Sequence, residues 1–127
     1  MPHFHAVVWI DHQQAHVIHF NPDAAETLVI HSTHANQPLH HKRSEIGAGR
    51  AGADAHYFGQ VEAALAGTGE VLITGPANAK DELVKHLRLH AQPLANHIVG
   101  VETIDHPSDA QLLQMARKYF KAADRMQ

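Results

Sequence analysis

The chain has 127 residues, 44% of them hydrophobic and 18% charged, with a net charge of −3 when its histidines are neutral. That is enough for one domain with a real core and too little for two. No apolar run approaches the ~20 residues of a membrane helix, the lack of cysteine excludes disulfides and thiol nucleophiles, and the charge gives no global pull toward nucleic acid, so any such contact must be local. The opening Met1-Pro2-His3-Phe4-His5 lacks the basic and apolar segments of a secretory leader, and a cytoplasmic location is expected. The unusual number is fourteen histidines. An unperturbed imidazole titrates near ~6.5, so acidification could carry the net charge from −3 toward about +11.

In chain order, residues 4–10 read as a first strand, with Val7, Val8, Trp9 and Ile10 apolar on both faces, as in a central strand. Asp11-His12-Gln13-Gln14 is a short polar turn, and residues 15–20 form a second strand. Asn21-Pro22-Asp23 is a strong turn signal. Thr27-Leu28-Val29-Ile30 is a third strand of β-branched and aliphatic residues. From about residue 33 to 53 the pattern disappears into a loop predicted to be flexible, with Pro38, the basic cluster His40-His41-Lys42-Arg43, Arg50 and the glycines Gly47, Gly49 and Gly52. Structureless loops of this length in compact domains are functional or disordered.

Asp54 then caps a helix running to about Ala66, with Phe58, Val61 and Leu65 spaced to face the core, and Gly67-Thr68-Gly69 ends it. Val71-Leu72-Ile73-Thr74 has no polar alternation, which marks a strand buried on both faces. Gly75-Pro76 stops that strand, and Asn78 reads as the N-cap of a helix over residues 79–89, with Asp81 and Glu82 at its positive end and Leu83, Val84 and Leu87 inward. Gln92-Pro93 breaks it. Residues 98–104 are the fifth strand. Ser108-Asp109-Ala110-Gln111 has the form of a capping box, opening a last helix with Leu112, Leu113, Ala116, Tyr119, Phe120 and Ala123 on one stripe.

The order is βββαβαβα. Right-handed crossovers put strands 1, 4 and 5 parallel and side by side, with strands 2 and 3 flanking strand 1. The expected fold is α/β: a mixed five-stranded sheet of order 3-2-1-4-5 with helices on both faces, which is ribonuclease-H-like, in a single domain over residues 1–127.

The segments GRAGADAHYFGQVEAAL, VLITGPANAK, DELVKHL and HIVGVETID, with the terminal helix, resemble the middle domain of the archaeo-eukaryotic peptide-chain release factors and their Pelota relatives. They look closest to the short bacterial translational machinery proteins of that superfamily. The resemblance covers most of the chain through loose apolar patterns, and it implies a ribosomal or RNA context. In the release factors the loop before the first helix ends in Gly-Gly-Gln, which enters the peptidyl-transferase centre. Here the matching stretch is Gly47-Ala48-Gly49-Arg50-Ala51-Gly52, without a Gly-Gly pair or a glutamine, and Gln60 falls inside the following helix. Peptide-release activity is therefore not carried over.

Other chemistry is thinly supported. A ribonuclease-H-like nuclease needs carboxylates at the ends of strands 1 and 4 and on the first helix to hold two metal ions. Asp11 and Glu62 match, the end of strand 4 has none, and Asp105 is a poor substitute; they read as a turn aspartate and a solvated helix glutamate. Gly75 to Lys80 lacks the glycines and hydroxyl of a phosphate loop. His3 with His5, His31-x-x-His34 and His40-His41 are close in sequence, but with no H-E-x-x-H pattern and no thiolates neither a metal site nor a cofactor is expected. Ser32, Ser44 and Ser108 lack a nucleophile-elbow context. The strongest functional candidates are Lys42, Arg43 and Arg50 with His40 and His41, set among adaptable glycines against one acid, Glu45, as a phosphate-binding segment. The expected role is non-catalytic RNA or ribosome binding with no membrane partner. A divergent nuclease or hydrolase, or a domain that homodimerises through a bare strand edge, are the alternatives.

Overall fold

The computed structural model describes residues 5–32 and 55–125. Strand β1 (His5–Ile10) leads through a tight turn into β2 (Gln14–Phe20), and β2 into β3 (Ala25–His31). Helix α1, over residues 55–64, precedes β4 (Glu70–Gly75). Then come α2 (Ala79–His90), the short α3 (Gln92–Ala95), β5 (Ile98–Thr103) and α4 (Asp109–Arg125). The sheet has the order β3-β2-β1-β4-β5. The first three strands form an antiparallel meander, and β1, β4 and β5 run parallel.

The sheet is covered on both faces, and alternation along each central strand divides the core in two. Ala6, Val8 and Ile10 of β1, with Val71 and Ile73 of β4, pack against Tyr57, Phe58, Val61 and Leu65 of the α1 segment and Leu83, Val84 and Leu87 of α2. Val7 and Trp9, with Leu72, Ile18 and Phe20, pack against Leu112, Ala116 and Phe120 of α4. Apolar residues on consecutive positions of β1 and β4 are thus the direct consequence of helices on both sides. Leu72 and Ile73 are fully buried, as the sequence predicts. The buried Thr74 hydroxyl donates to the Val8 carbonyl at 2.8 Å, so the single polar side chain of this run is satisfied.

Two glycines are fixed by their surroundings. Gly67 has φ +84°, the left-handed conformation that ends a helix at low cost for glycine alone. At Gly75 a Cβ would collide with the Ile10 carbonyl oxygen, so β1 and β4 meet this closely only because the residue has no side chain.

The capping box is present in full: Gln111 N–H donates to Ser108 Oγ at 3.1 Å, and Ser108 N–H to Gln111 Oε1 at 3.0 Å. Helix α2 starts where expected, with Asn78 at its N-cap position and the Asn78 carbonyl accepting from Glu82 N–H at 3.0 Å. Asn78 makes no side-chain cap hydrogen bond, and its own backbone is already helical. Lys80 instead turns inward, donating from Nζ to the Ala77 carbonyl. Gln92-Pro93 ends α2 but also starts α3, because a proline in the first turn of a helix sacrifices no intrahelical bond. Strand β3 is longer at both ends than residues 27–30: before it the Asn21 side chain closes a tight turn by accepting from Asp23 N–H and Ala24 N–H at 2.8 Å each, and at its far end His31 pairs with Gln14.

Candidate functional site

The sequence-predicted phosphate-binding residues, His40, His41, Lys42, Arg43 and Arg50, and the loop glycines Gly47, Gly49 and Gly52, lie outside the described residues. So do His3 and His34. What the structure does place is the ground from which that segment departs and to which it returns.

Both ends are anchored at one corner of the sheet, the C-terminal end of β1. On the departing side Ser32 is buried, and its N–H donates to the Gln13 carbonyl at 2.8 Å, tying the end of β3 to the β1–β2 turn. On the returning side Tyr57 is 1% exposed, and its hydroxyl donates to the Asp11 carbonyl at 2.9 Å, tying the start of α1 to the same turn. The turn is held by Asp11, whose Oδ1 accepts from Gln13 N–H and Gln14 N–H at 2.8 Å each. Across the corner His12 Nε2 meets Glu82 of α2 at 3.2 Å. Tyr57 is the anchor that sequence reading misses. Its adjacency to the core residue Phe58 was the available signal, since two neighbouring aromatics at a helix start must face different partners.

The candidate catalytic groups are committed elsewhere. Asp11 is a turn aspartate, as read from the sequence, with one carboxylate oxygen receiving two backbone donors. Glu62 Oε1 pairs with His86 Nε2 at 3.1 Å rather than standing free in solvent. Asp105 contributes its backbone carbonyl to Trp9 Nε1–H at 2.9 Å. Lys80, folded onto Ala77 and 3.8 Å from Asp81, is not presented to a phosphate. Gln60 lies exposed on α1.

The histidines are less peripheral than their scatter suggests. His19 Nε2–H donates to the Ala64 carbonyl at 2.7 Å and His97 Nδ1–H to that of Thr68 at 2.9 Å, stitching both ends of the α1–β4 connection to the sheet. His5 pairs with Glu70 at 3.2 Å and stacks on Phe20. Among the described residues no group of three or more histidine, aspartate or glutamate side chains is disposed to hold a metal ion. No helix among them is long and apolar enough to cross a membrane.

No protein-family model and no curated protein matches the chain. Solved structures do. Pelota from Archaeoglobus fulgidus superposes with a TM-score of 0.63 at 13% identity, over 92% of this chain and 31% of its own. The Thermoplasma acidophilum Pelota protein gives 0.61 at 18%, over 86% and 30%. The archaeal translation termination factor aRF1 gives 0.60 at 14%, over 96% and 39%. The chain therefore shares the fold of a part of each of these proteins and spans about a third of their length.

Proposed function

We propose that this chain is a non-catalytic, translation-associated domain of release-factor type that binds ribosomal or other RNA through the basic segment between β3 and α1. The observation that carries the reading is the double anchorage at the β1–β2 turn. Ser32 and Tyr57 bring the ends of a segment bearing Lys42, Arg43 and Arg50 to a single corner, from which those cations can be offered to a phosphate backbone. The fold likeness to Pelota and to the translation termination factor aRF1 supports a ribosomal setting and a cytoplasmic location. The further resemblance to the short bacterial members of that superfamily rests on the sequence patterns alone. Peptide release is not part of the role, because Gly47 to Gly52 offers no Gly-Gly-Gln.

The test is RNA affinity against salt for the wild type and for the triple variant Lys42→Ala, Arg43→Ala, Arg50→Ala. Each lost phosphate contact should lower the slope of log affinity against log salt by about 0.7–0.9, with thermal stability unchanged. His40 and His41 should strengthen binding below about pH 6.5, by adding charge beside the same phosphates. Identical salt curves for the two proteins would reject the segment as the RNA contact. Co-sedimentation with ribosomes on a sucrose gradient tests the setting independently.

A second reading draws on the sheet edge. Leu28 and Val29 of β3 are 49% and 39% exposed on a strand that has one side unpaired among the described residues, a surface suited to pairing with a second copy.

A further inference from the structure

On the α4 face, Trp9, His16, His106 and Asp109 form a cluster that the function proposed above does not use. Trp9 is 2% exposed and donates from Nε1 to the Asp105 carbonyl, which holds the β5–α4 connection against the sheet. That bond sets the His106 ring over the indole, with centroids 4.1 Å apart. The His16 ring, on β2, lies 5.4 Å from that of His106 and 6.0 Å from that of Trp9.

Both imidazoles have one nitrogen engaged. His16 Nδ1–H donates to Asp109 Oδ1 at 2.8 Å, and the carboxylate fixes the tautomer, so in the neutral ring Nε2 carries the lone pair. His106 Nδ1–H donates to the Pro107 carbonyl at 3.0 Å, leaving its Nε2 as the lone-pair atom as well. His16 Nε2 is buried and has no hydrogen-bond partner among the described residues. A buried acceptor left in this state is costly, and in native proteins it marks a site completed by something other than the chain.

Imidazoles with Nδ1 held by a carboxylate or carbonyl and Nε2 open are the usual form of metal-ligating histidine. The spacing agrees: a metal–nitrogen bond of about 2.0–2.1 Å puts two tetrahedrally disposed ring centroids about 5 Å apart, against the 5.4 Å observed. We propose that His16 and His106 bind a divalent transition-metal ion such as Zn²⁺, Ni²⁺ or Cu²⁺ through their Nε2 atoms, with Asp109 orienting His16. Imidazole nitrogen suits these ions rather than Mg²⁺ or Ca²⁺. The chain supplies two ligands, so the remaining positions belong to water or to a donor from a partner.

With fourteen histidines, metal uptake alone would say nothing, and the test must be local. Trp9 is the sole tryptophan and touches the site, so Cu²⁺ or Ni²⁺ bound there should quench its fluorescence. Tag-free protein, stripped with EDTA and dialysed, is titrated with CuCl₂ or NiCl₂. Saturable quenching at one equivalent, reversed by ZnCl₂, is expected. His106→Ala, at an exposed position, should abolish it without altering the melting temperature. Asp109→Asn should weaken the apparent affinity about 10–100-fold while keeping full quenching at saturation. Absence of saturable quenching in the wild type, or the same midpoint in His106→Ala, would overturn the site and leave His16 Nε2 to an ordered water.

Discussion

Strands β3 and β4 carry the same four residue types in different order: Thr27-Leu28-Val29-Ile30 in one and Val71-Leu72-Ile73-Thr74 in the other. Their fates are opposite. All four are buried in β4, whereas only Ile30 is buried in β3. Both quartets satisfy the local requirement for a strand, because β-branched and aliphatic side chains suit a pleated backbone. Place in the sheet decides the rest. β4 lies between β1 and β5 with a helix layer on each side; β3 is an edge, beyond the reach of both layers for most of its length. Composition chooses the element, and topology chooses its environment.

That contrast can be broken by measurement. Leu72→Ala should cost the most, about 2–5 kcal/mol in urea denaturation, because it opens a cavity between the sheet and α4. Gly75→Ala should follow at about 1–3 kcal/mol, since the added methyl meets a backbone carbonyl that cannot turn aside. Leu28→Thr, which keeps a strand-favouring residue at an exposed site, should change stability by less than about 0.5 kcal/mol. A cost at Leu28 equal to that at Leu72, with a melting temperature that rises with protein concentration, would mean that a second copy covers β3 and that the edge is an edge only in the monomer.

The same contrast explains what the sequence made legible. The uninterrupted apolar runs of β1 and β4 announced a doubly covered sheet, and right-handed crossovers then left little choice of strand order. The Ser108–Gln111 box and the Gly67 stop were also readable, because each is a local arrangement with its own chemistry. Asn78 was read correctly as the residue that precedes α2, but its side chain makes no cap bond, because capping depends on backbone conformation, which residue type only biases. Gln92-Pro93 was readable as a stop but not as a start, since proline serves either role according to which side of it the helix lies. Contacts across long stretches of chain left no trace at all. His16 and Asp109 are 93 residues apart, and nothing near either one identifies the other. The basic cluster from His40 to Arg50 was legible as composition, with its anchors, Ser32 and Tyr57, hidden in the fold.

The register of the central pair has a consequence for how the chain reaches this state. His5 of β1 pairs with Glu70 of β4, so the deepest seam of the molecule joins residues 65 apart, while β1–β2 and β2–β3 are hairpins closed by turns of a few residues. Local hairpins form in microseconds, and distant strand pairing waits on a much rarer encounter. During synthesis the meander can therefore assemble as soon as it emerges, with Val7, Val8 and Trp9 waiting on an unfinished edge for a partner strand still to be made. The part of the protein that is best protected at the end is the part that stands open longest on the way.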